Sequence, residues 1–339
     1  IADDSPRHIV REIASALHTG PGRERPVHLI LENDANQARY LERDATAAPT
    51  CASAQWNDDL HHAAHVLATG ERDGYYADYA DAPLARLGRA LAEGFVYQGE
   101  PSPFRGGELR GERSSHLPPT AFVSFLQTHD QVGNRAFGER LHALANPRVE
   151  RTALTCLLLA PHIPMLFMGE EFAASTPFLF FCDFGPELAQ AVTAGRRREF
   201  ARFAAFADAS ARSRIPDPGS AATFEASKLR WDERRQGAHR ERLALTHELL
   251  ALRQQHIVPH LHGPQGGARL EIVNGVLRVE WLLGDGTRLR LLAHFGDDTV
   301  TVPKRVDGIL VYRAGASDTD GENLEFTPGA VHVVLEPAP

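Results

Sequence analysis

One short apolar run that changes abruptly into a polar cluster constrains the fold of this chain most. Residues 122–126 are largely apolar, carry no charge and have the length of one buried strand. The residues that follow bring together four polar side chains, namely His129, Asp130, Gln131 and Asn134. α/β barrels build active sites from such side chains at the carboxyl ends of their strands. A strand followed by a polar turn is the alternative, because His, Asp, Gly and Asn all suit turns.

Residues 5 to 206 alternate between helix and strand patterns. Apolar runs that predict strands lie at 27–31, 122–126 and 164–168, and about four strands are expected in all. Helical periodicity and capping residues predict helices at 5–20, 63–70, 84–95, 147–160 and 186–206, followed by another at 240–255. This alternation predicts a parallel sheet covered by helices.

The segments between and after these elements differ in character. Residues 97–118 are rich in Pro, Gly and charge, which predicts a long surface loop, and the polar stretch 208–240 predicts irregular structure. Arg196, Arg197 and Arg198 are interpreted as a solvent-exposed helix face. After Pro259 the pattern becomes all-β, with a hairpin in which Asn274-Gly275 forms the turn.

Composition limits the classes of partner and compartment. The net charge of -8 argues against nucleic acid or an anionic membrane as a partner, and no apolar run has the length of a transmembrane helix. Three cysteines without metal-ligand spacing indicate thiols in a reducing cytoplasm. The chain starts at Ile1 without Met and without a signal-peptide pattern, so we expect a fragment of a cytoplasmic protein.

Two carboxylates, Glu32 and Asp130, each directly follow a predicted strand. Paired carboxylates across a scissile bond suit glycoside hydrolysis, in which one protonates the leaving oxygen and another stabilises or attacks the sugar. Taken alone, either residue is better explained as a helix cap or a salt-bridge residue. The pair, with His129 beside Asp130, gives the catalytic interpretation equal weight.

The segment 54–62 places Trp56 beside several hydrogen-bonding groups, namely Asp58, Asp59, His61 and His62. Sugars need a flat apolar ring and polar partners for their hydroxyls, so this segment is a candidate substrate contact. A helix N-terminus that favours negative charge is the alternative for the two aspartates. A zinc site from His61, His62 and His65 lacks the HExxH pattern. Glu170 and Glu171 either line the same mouth or begin the next loop.

Four motifs in order resemble the maltooligosyltrehalose trehalohydrolases, a family of the α-amylase superfamily of glycoside hydrolases. They are Leu31–Asn36, Gln55–His62, Gln127–Arg135 and Leu166–Phe172, with further matches at Ile215–Pro218, Thr223–Glu225 and Leu250–Arg253. The resemblance covers residues 1 to about 260 and implies a (β/α)₈ TIM barrel, of which the chain holds the second half. It also implies a C-terminal β-sandwich domain, at residues 261–339.

The resemblance further implies a retaining hydrolase that cleaves the α-1,4 bond next to the terminal trehalose of maltooligosyltrehalose. Glu32 would be the general acid/base and Asp130 the stabiliser of the transition state. The substrate-contacting residues would be Asp58, Asp59, His61, His62, His129, Gln131 and Asn134. No cofactor or metal is implied, and the functional partner would be a maltooligosyltrehalose synthase.

The sequence departs from the family at one point that matters. The family nucleophile lies in a pattern like Arg-x-Asp-Ala-Val-His just before a segment resembling residues 1–4, and this chain begins after it. We therefore expect the chain alone to be inactive, since a retaining mechanism needs two carboxylates about 5 Å apart. The alternatives are a branching or debranching α-glucan enzyme, and a non-catalytic glucan-binding fragment. Thr128 and Leu60 replace the more common Asn and Phe without changing the chemistry.

Overall fold

The structure of the chain is a computed structural model, which describes residues 3–201, 208–263, 267–304 and 308–338. The chain forms two compact units. The first comprises residues 1–126, 146–165 and 249–339, and the second comprises 127–145 and 166–248. The predicted end of a helix at 202–206, and residues 1 and 2 of the amino-terminal segment, lie outside the described residues.

The helices of the described chain are α1 Ile9–Thr19, α2 Asp58–Thr69, α3 Pro83–Glu93, α4 His129–Gly133, α5 Leu141–Leu144, α6 Pro147–Leu159, α7 Pro186–Phe200, α8 Ala209–Ser213, α9 Ala221–Ala226 and α10 Gly237–His256. The strands are β1 Ile30–Leu31, β2 Ala54–Trp56, β3 Glu100–Ser102, β4 Glu108–Arg110, β5 Phe122–Ser124, β6 Ile163–Pro164, β7 Ala268–Val273, β8 Val276–Leu282, β9 Arg288–His294, β10 Val300–Pro303, β11 Ile309–Asp318 and β12 Asn323–Glu336. Among the helices in these ranges, none is both long and apolar enough to cross a membrane.

A parallel sheet with the order β1-β2-β5-β6 lies in the first unit. Four parallel strands agree with the sequence prediction. The strand predicted at 164–168 lies earlier in the chain and is shorter, because β6 ends at Pro164. Its last ladder bond is the one that the Met165 amide donates to the Ser124 carbonyl, at 2.8 Å. Beyond that point the Phe167 amide bonds the Glu170 carboxylate instead of a strand, at 2.9 Å.

The core beside this sheet is built around Phe122, the first residue of β5. Its ring meets the ring of Phe95 edge-on at 5.1 Å, and Leu41, Ala52 and Ala121 complete the cluster. Gly94 ends α3 with a φ of +85°, and a Cβ there would lie 2.0 Å from the Phe122 ring. Glycine is therefore required at this position both by backbone conformation and by space.

Two predictions in the first unit were wrong in detail. The first helix begins at Ile9 rather than at Pro6, since the Asp3 carboxylate accepts the amides of Ser5 (2.9 Å) and Ile9 in a turn before it. The predicted surface loop 97–118 contains the hairpin β3–β4 instead. Arg110 at the end of this hairpin is buried, so the segment is anchored in the protein.

The C-terminal part of the first unit is an antiparallel sheet. Its order is β10-β12-β9-β8-β7, with β11 paired to the other edge of β12, so the predicted all-β region is confirmed. The predicted Asn274-Gly275 turn is also confirmed, because φ is 51° at Asn274 and 78° at Gly275, as a type I′ turn requires. Trp281 of β8 is fully buried and donates its indole N–H to the Leu91 carbonyl of α3 at 3.0 Å.

Arg253, near the end of α10, is a buried cation of the first unit. Its guanidinium donates to the carbonyls of Leu158, Ala160 and His162, which lie at the end of α6 and just before β6. The helix ends here, so no following turn supplies backbone N–H groups to these carbonyls. The guanidinium supplies the donors that these buried acceptors would otherwise lack.

The second unit is largely helical in its described part. The stretch predicted to be irregular contains α8 and α9, which the side chains of Asp208 and Ser220 cap by accepting the amides two residues ahead. The prediction that the arginines of α7 form a solvent-exposed helix face is wrong for Arg196. Arg196 donates to the carbonyls of Gly133 (2.8 Å) and Arg135 (2.7 Å), whereas Arg198 is exposed.

Candidate functional site

The first group of predicted site residues sits where β2 leads into α2. Asn57 caps the helix, since its side-chain oxygen accepts the Leu60 amide at 3.3 Å and its Nδ2 donates to the Gly94 carbonyl at 2.9 Å. This places Asp58 and Asp59 in the first turn, where backbone N–H groups and the helix dipole favour negative charge. The helix-terminus interpretation of the two aspartates therefore describes their location correctly.

Asp59 is fully buried and is the centre of a hydrogen-bonded network. Its carboxylate pairs with the Arg110 guanidinium at 2.9 Å and accepts the hydroxyl of Tyr79. Three further donors are the Asn36 side chain (2.9 Å) and the backbone amides of Val96 (2.6 Å) and Tyr97 (3.0 Å). The network ties α2 to the β3–β4 hairpin, so in this structure the Asp59 carboxylate is occupied by protein groups. Its predicted contact with substrate stays a prediction.

Asp58 differs sharply from its neighbour. It is half-buried and accepts no hydrogen bond from the described residues. Burial, followed by the charge of the Asp59 carboxylate, raises its pKa from 3.8 to about 7, while Arg110 has the opposite effect. Glu32 and Asp34 also raise the Asp58 pKa, which shows that these three carboxylates share one electrostatic environment. A carboxylic acid of this kind can donate or accept a proton near neutral pH.

Glu32 lies directly after β1, at the same edge of the parallel sheet as the start of α2. Leu31 is in register with Gln55, and the Gln55 side chain donates to the Asn33 carbonyl at 2.9 Å, which fixes the turn that follows β1. Glu32 is exposed, whereas the nearby Asp34 pairs with Arg105 at 2.7 Å. The sheet thus brings Glu32 and Asp58 to one edge. The sequence placed Glu32 after a strand but did not predict β2 before Asp58, and the pairing of Glu32 with Asp130 stays a prediction.

The histidines of α2 are packed into an aromatic cluster. His61 is buried, with Nδ1 against the Leu126 carbonyl and Nε2 3.2 Å from the Tyr76 hydroxyl. Burial, followed by the charge of His65, lowers the His61 pKa to about 3, so this ring is neutral at physiological pH. His62 is partly exposed and lies 5.0 Å from the Tyr79 ring, centroid to centroid.

The alternative of a zinc site is not supported by these contacts. Both His61 nitrogens face protein groups, and His65 Nε2 lies 2.8 Å from the Glu71 carboxylate. Within the ranges that the structure describes, no cluster of three or more His, Cys, Asp or Glu side chains is arranged to hold a metal ion.

The second group of predicted residues lies in the second unit, on α4. Thr128 caps this helix by accepting the Asp130 amide at 3.2 Å, and the Gln131 side chain accepts the Thr128 amide at 2.8 Å. This reciprocal capping box presents His129 and Asp130 to solvent, with about half of each side chain exposed. The His129 ring nitrogen lies 3.5 Å from the Asp130 carboxylate.

Two further predicted residues of the second unit contribute differently. Asn134 follows α4 and is exposed, so it is accessible to a ligand. The oxygen of Gln131 is engaged by the capping box, which leaves its NH₂ group as the donor. Glu170 is buried and bonds the Phe167 amide, and it begins a short helical turn with Glu171. Of the two interpretations of this pair, the structure supports the start of a loop.

Sequence reasoning missed the residues that position the site rather than contact a ligand. Arg110 and Tyr79 hold Asp59, and Arg140 lies buried in the second unit, donating to the carbonyls of Thr176 (2.7 Å) and Met168 (2.8 Å). No local pattern marks them, because each is defined by partners far away along the chain. A buried Arg in a segment that reads as loop can be found only from its three-dimensional contacts.

Comparison with known proteins gives a consistent relationship. The C-terminal residues 265–336 match the family model described as a domain of unknown function, DUF3459. The maltooligosyltrehalose trehalohydrolase of Mycobacterium tuberculosis is 40% identical over 100% of this chain and 57% of its own length. That of Deinococcus radiodurans is 37% identical over 99% of this chain and 53% of its own length. The chain thus spans about half the length of the curated relatives it matches.

Solved structures agree with this relationship. The 1.4 Å crystal structure of a candidate α-amylase from Salmonella typhimurium has a TM-score of 0.90 and 42% identity, covering 99% of this chain and 56% of that one. The pullulanase of Paenibacillus barengoltzii has a TM-score of 0.53 at 16% identity, over 97% of this chain and 45% of that one, and shares the fold alone. The resemblance predicted from four motifs is therefore confirmed, and the chain is a homologue of the maltooligosyltrehalose trehalohydrolases along nearly its whole length.

Proposed function

We propose that the protein containing this chain is a retaining glycoside hydrolase that releases trehalose from maltooligosyltrehalose. The observation that carries this proposal is the 35–40% identity to trehalohydrolases along nearly the whole chain, with Glu32 and Asp130 each located after a strand where the family motif requires a carboxylate. Within this proposal Glu32 is the general acid/base, Asp130 stabilises the oxocarbenium-like transition state, and His129 contacts a sugar hydroxyl.

The geometry of the first unit supports a proton-transfer role for Glu32. It is exposed at the edge of the parallel sheet, where a sugar oxygen can reach it, and it lies in a field of other carboxylates. Asp58 and His62 are the members of the α2 group that reach solvent, and we propose that they contact substrate hydroxyls. Asp59 and His61 would act by positioning those two.

The finer architectural predictions belong to the same proposal. They are the second half of a (β/α)₈ barrel within residues 1–260, a β-sandwich at 261–339, a cytoplasmic location, and functional coupling to a maltooligosyltrehalose synthase. The parallel sheet of the first unit and the six antiparallel strands of its C-terminal region, as described, support the first two. We also propose that the 339-residue chain alone is inactive, because a retaining mechanism needs a second carboxylate about 5 Å from the first.

Product analysis tests the proposed function. The full-length protein that contains this chain should release trehalose from maltooligosyltrehalose, with far less glucose released from plain maltodextrin of the same length. Glu32→Gln should lower kcat/KM by about 10²- to 10⁴-fold, which is the usual contribution of a general acid. Glu24→Gln is the matched control, because Glu24 is also exposed and its side chain makes no hydrogen bond or ion pair with the described residues.

Three outcomes would contradict the proposal. Products without trehalose would point to a branching or debranching enzyme. Binding of glucan without any hydrolysis by the full-length protein would point to a non-catalytic glucan-binding protein. Equal loss of activity in Glu24→Gln and Glu32→Gln would remove Glu32 from the catalytic role.

A further inference from the structure

A small cavity on the C-terminal antiparallel sheet is lined by three cations. Arg278 of β8, Arg290 of β9 and Lys304 after β10 surround a space of about 10 Å³, together with His332 of β12. Leu292 and Leu324 form part of its apolar wall. This volume is about that occupied by one water molecule, so the cavity admits a single small species rather than a sugar.

The register of the sheet explains why these side chains converge. Leu292 of β9 is paired with Arg278 on one side and with His332 on the other, so the three residues form one cross-strand row. Arg290 lies two residues before Leu292 on the same face of β9. Four strands therefore deliver basic side chains to one point, although these residues are widely separated along the chain.

His332 supplies an unused polar group at this point. More than nine-tenths of the residue is buried, yet its Nδ1 has no hydrogen-bond partner among the described residues. The Arg290 guanidinium uses Nε and one terminal nitrogen for carboxylates, which leaves Nη1 as a donor. A buried polar atom without a partner, such as His332 Nδ1, is costly, which indicates that something else fills the space.

The side chains that line the cavity favour an anion, although their cations also meet carboxylates outside it. Arg278 pairs with Glu271 at 3.3 Å and Lys304 with Asp318 at 2.9 Å, while Arg290 pairs with Glu280 at 2.7 Å and with Glu336 at 3.3 Å. None of these carboxylates is among the residues that line the cavity in the described structure. Burial, followed by the charges of Arg313 and Lys304, lowers the His332 pKa to about 4, whereas Asp318 raises it. Burial and the two nearby cations thus keep the imidazole neutral.

We propose that this cavity binds one monatomic anion, of which chloride is the available example, held by His332, Arg290, Arg278 and Lys304. A neutral imidazole can donate from Nδ1, and the guanidinium and ammonium groups supply charge-assisted donors. The anion would bridge side chains of β8, β9 and β12, so its effect would be on the stability of this sheet. The inference is independent of the proposed glycosidase function.

Thermal unfolding in different sodium salts tests the proposal. Tm would be measured in chloride, bromide and gluconate at constant ionic strength, which keeps general screening equal. We expect a saturable rise of about 2–4 °C at ten times Kd in chloride or bromide, relative to gluconate. His332→Phe removes the donor and fills the space, and it should make Tm the same in the three salts. Arg288→Gln, on the same strand as Arg290 but not lining the cavity, should keep the rise.

A second measurement keeps the test decisive if His332→Phe does not fold. The NMR line of chloride should broaden in the presence of the wild-type protein. It should narrow again when bromide displaces chloride, as expected for exchange at one site. Equal Tm values in all salts would show that the cavity holds water. A Tm that rises with salt concentration without saturating, as general salt effects do, would equally overturn the proposal.

Discussion

Two adjacent aspartates, Asp58 and Asp59, should respond in opposite ways to the same substitution. Asp58 has its pKa raised from 3.8 to about 7, whereas Asp59 is fully buried and paired with Arg110. At 1.36 kcal/mol per pH unit, the raised pKa corresponds to about 4 kcal/mol, and partial solvent screening reduces this to about 2–4 kcal/mol. Above pH 7 the ionised Asp58 carboxylate therefore destabilises the folded state by that amount.

The direction of the pH dependence follows from proton binding. Between pH 4 and pH 7 the folded protein retains the Asp58 proton and the unfolded chain has lost it, so stability falls as pH rises through this window. Asp58→Asn removes the titration. Its free energy of unfolding should equal that of the wild type near pH 4 and exceed it by about 2–4 kcal/mol at pH 7.5.

Asp59→Asn is the matched comparison. It removes the charge that compensates the buried Arg110 and should destabilise the protein by about 3–5 kcal/mol at every pH between 5 and 8. Urea unfolding of the three proteins at pH 4.5, 6 and 7.5 gives the comparison directly. A destabilised Asp58→Asn, or one whose difference from the wild type does not change with pH, would refute the reasoning.

If Asp58 contacts substrate as proposed, Asp58→Asn should at the same time raise KM in the full-length protein, because a residue that costs stability is retained for function.

Two further predictions concern the elements that support the site. Gly94→Ala should destabilise the protein by about 2–4 kcal/mol in urea unfolding, because it combines positive φ with a clash against Phe122. Gly70→Ala is the control, since Gly70 has positive φ (74°) but open space around it, and it should cost only about 1–2 kcal/mol. Equal losses would show that the Phe122 contact is unimportant. Thr128→Ala should cost about 0.5–2 kcal/mol by removing the cap of α4, and Thr128→Asn, which restores a capping side chain, should recover most of that loss. A loss that Asn does not recover would place the effect of Thr128 elsewhere.

Local sequence patterns predicted the elements whose causes are local. The turn at Asn274-Gly275 follows from residues that tolerate positive φ, and the start of α6 follows from Asn146 and Pro147 at the cap and first position. The parallel sheet followed from the alternation of helix and strand. The position of Glu32 after a parallel strand followed from the same rule, whereas β2, which leads to Asp58, was not predicted.

The features that could not be predicted depend on distant partners. Arg110 was assigned to a surface loop because its composition is polar, and only the folded chain shows that it meets Asp59. Similarly, the exposed-face interpretation of Arg196 failed because the carbonyls that it binds lie at the end of α4 and just after it. A sequence shows which groups need partners, but long-range packing decides which partners they obtain.

The carbonyls held by Arg253 have a consequence for the order in which the chain folds. Between 91 and 95 residues separate Arg253 from these acceptors, and most of the second unit, residues 166–248, lies between them in the chain. At a synthesis rate of about 5–20 residues per second, Arg253 is synthesised about 5–20 seconds after the end of α6. During translation the second unit can therefore begin to fold while the first is still incomplete. A ribosome stalled before Arg253 should display a nascent chain in which residues 158–162 are open to protease.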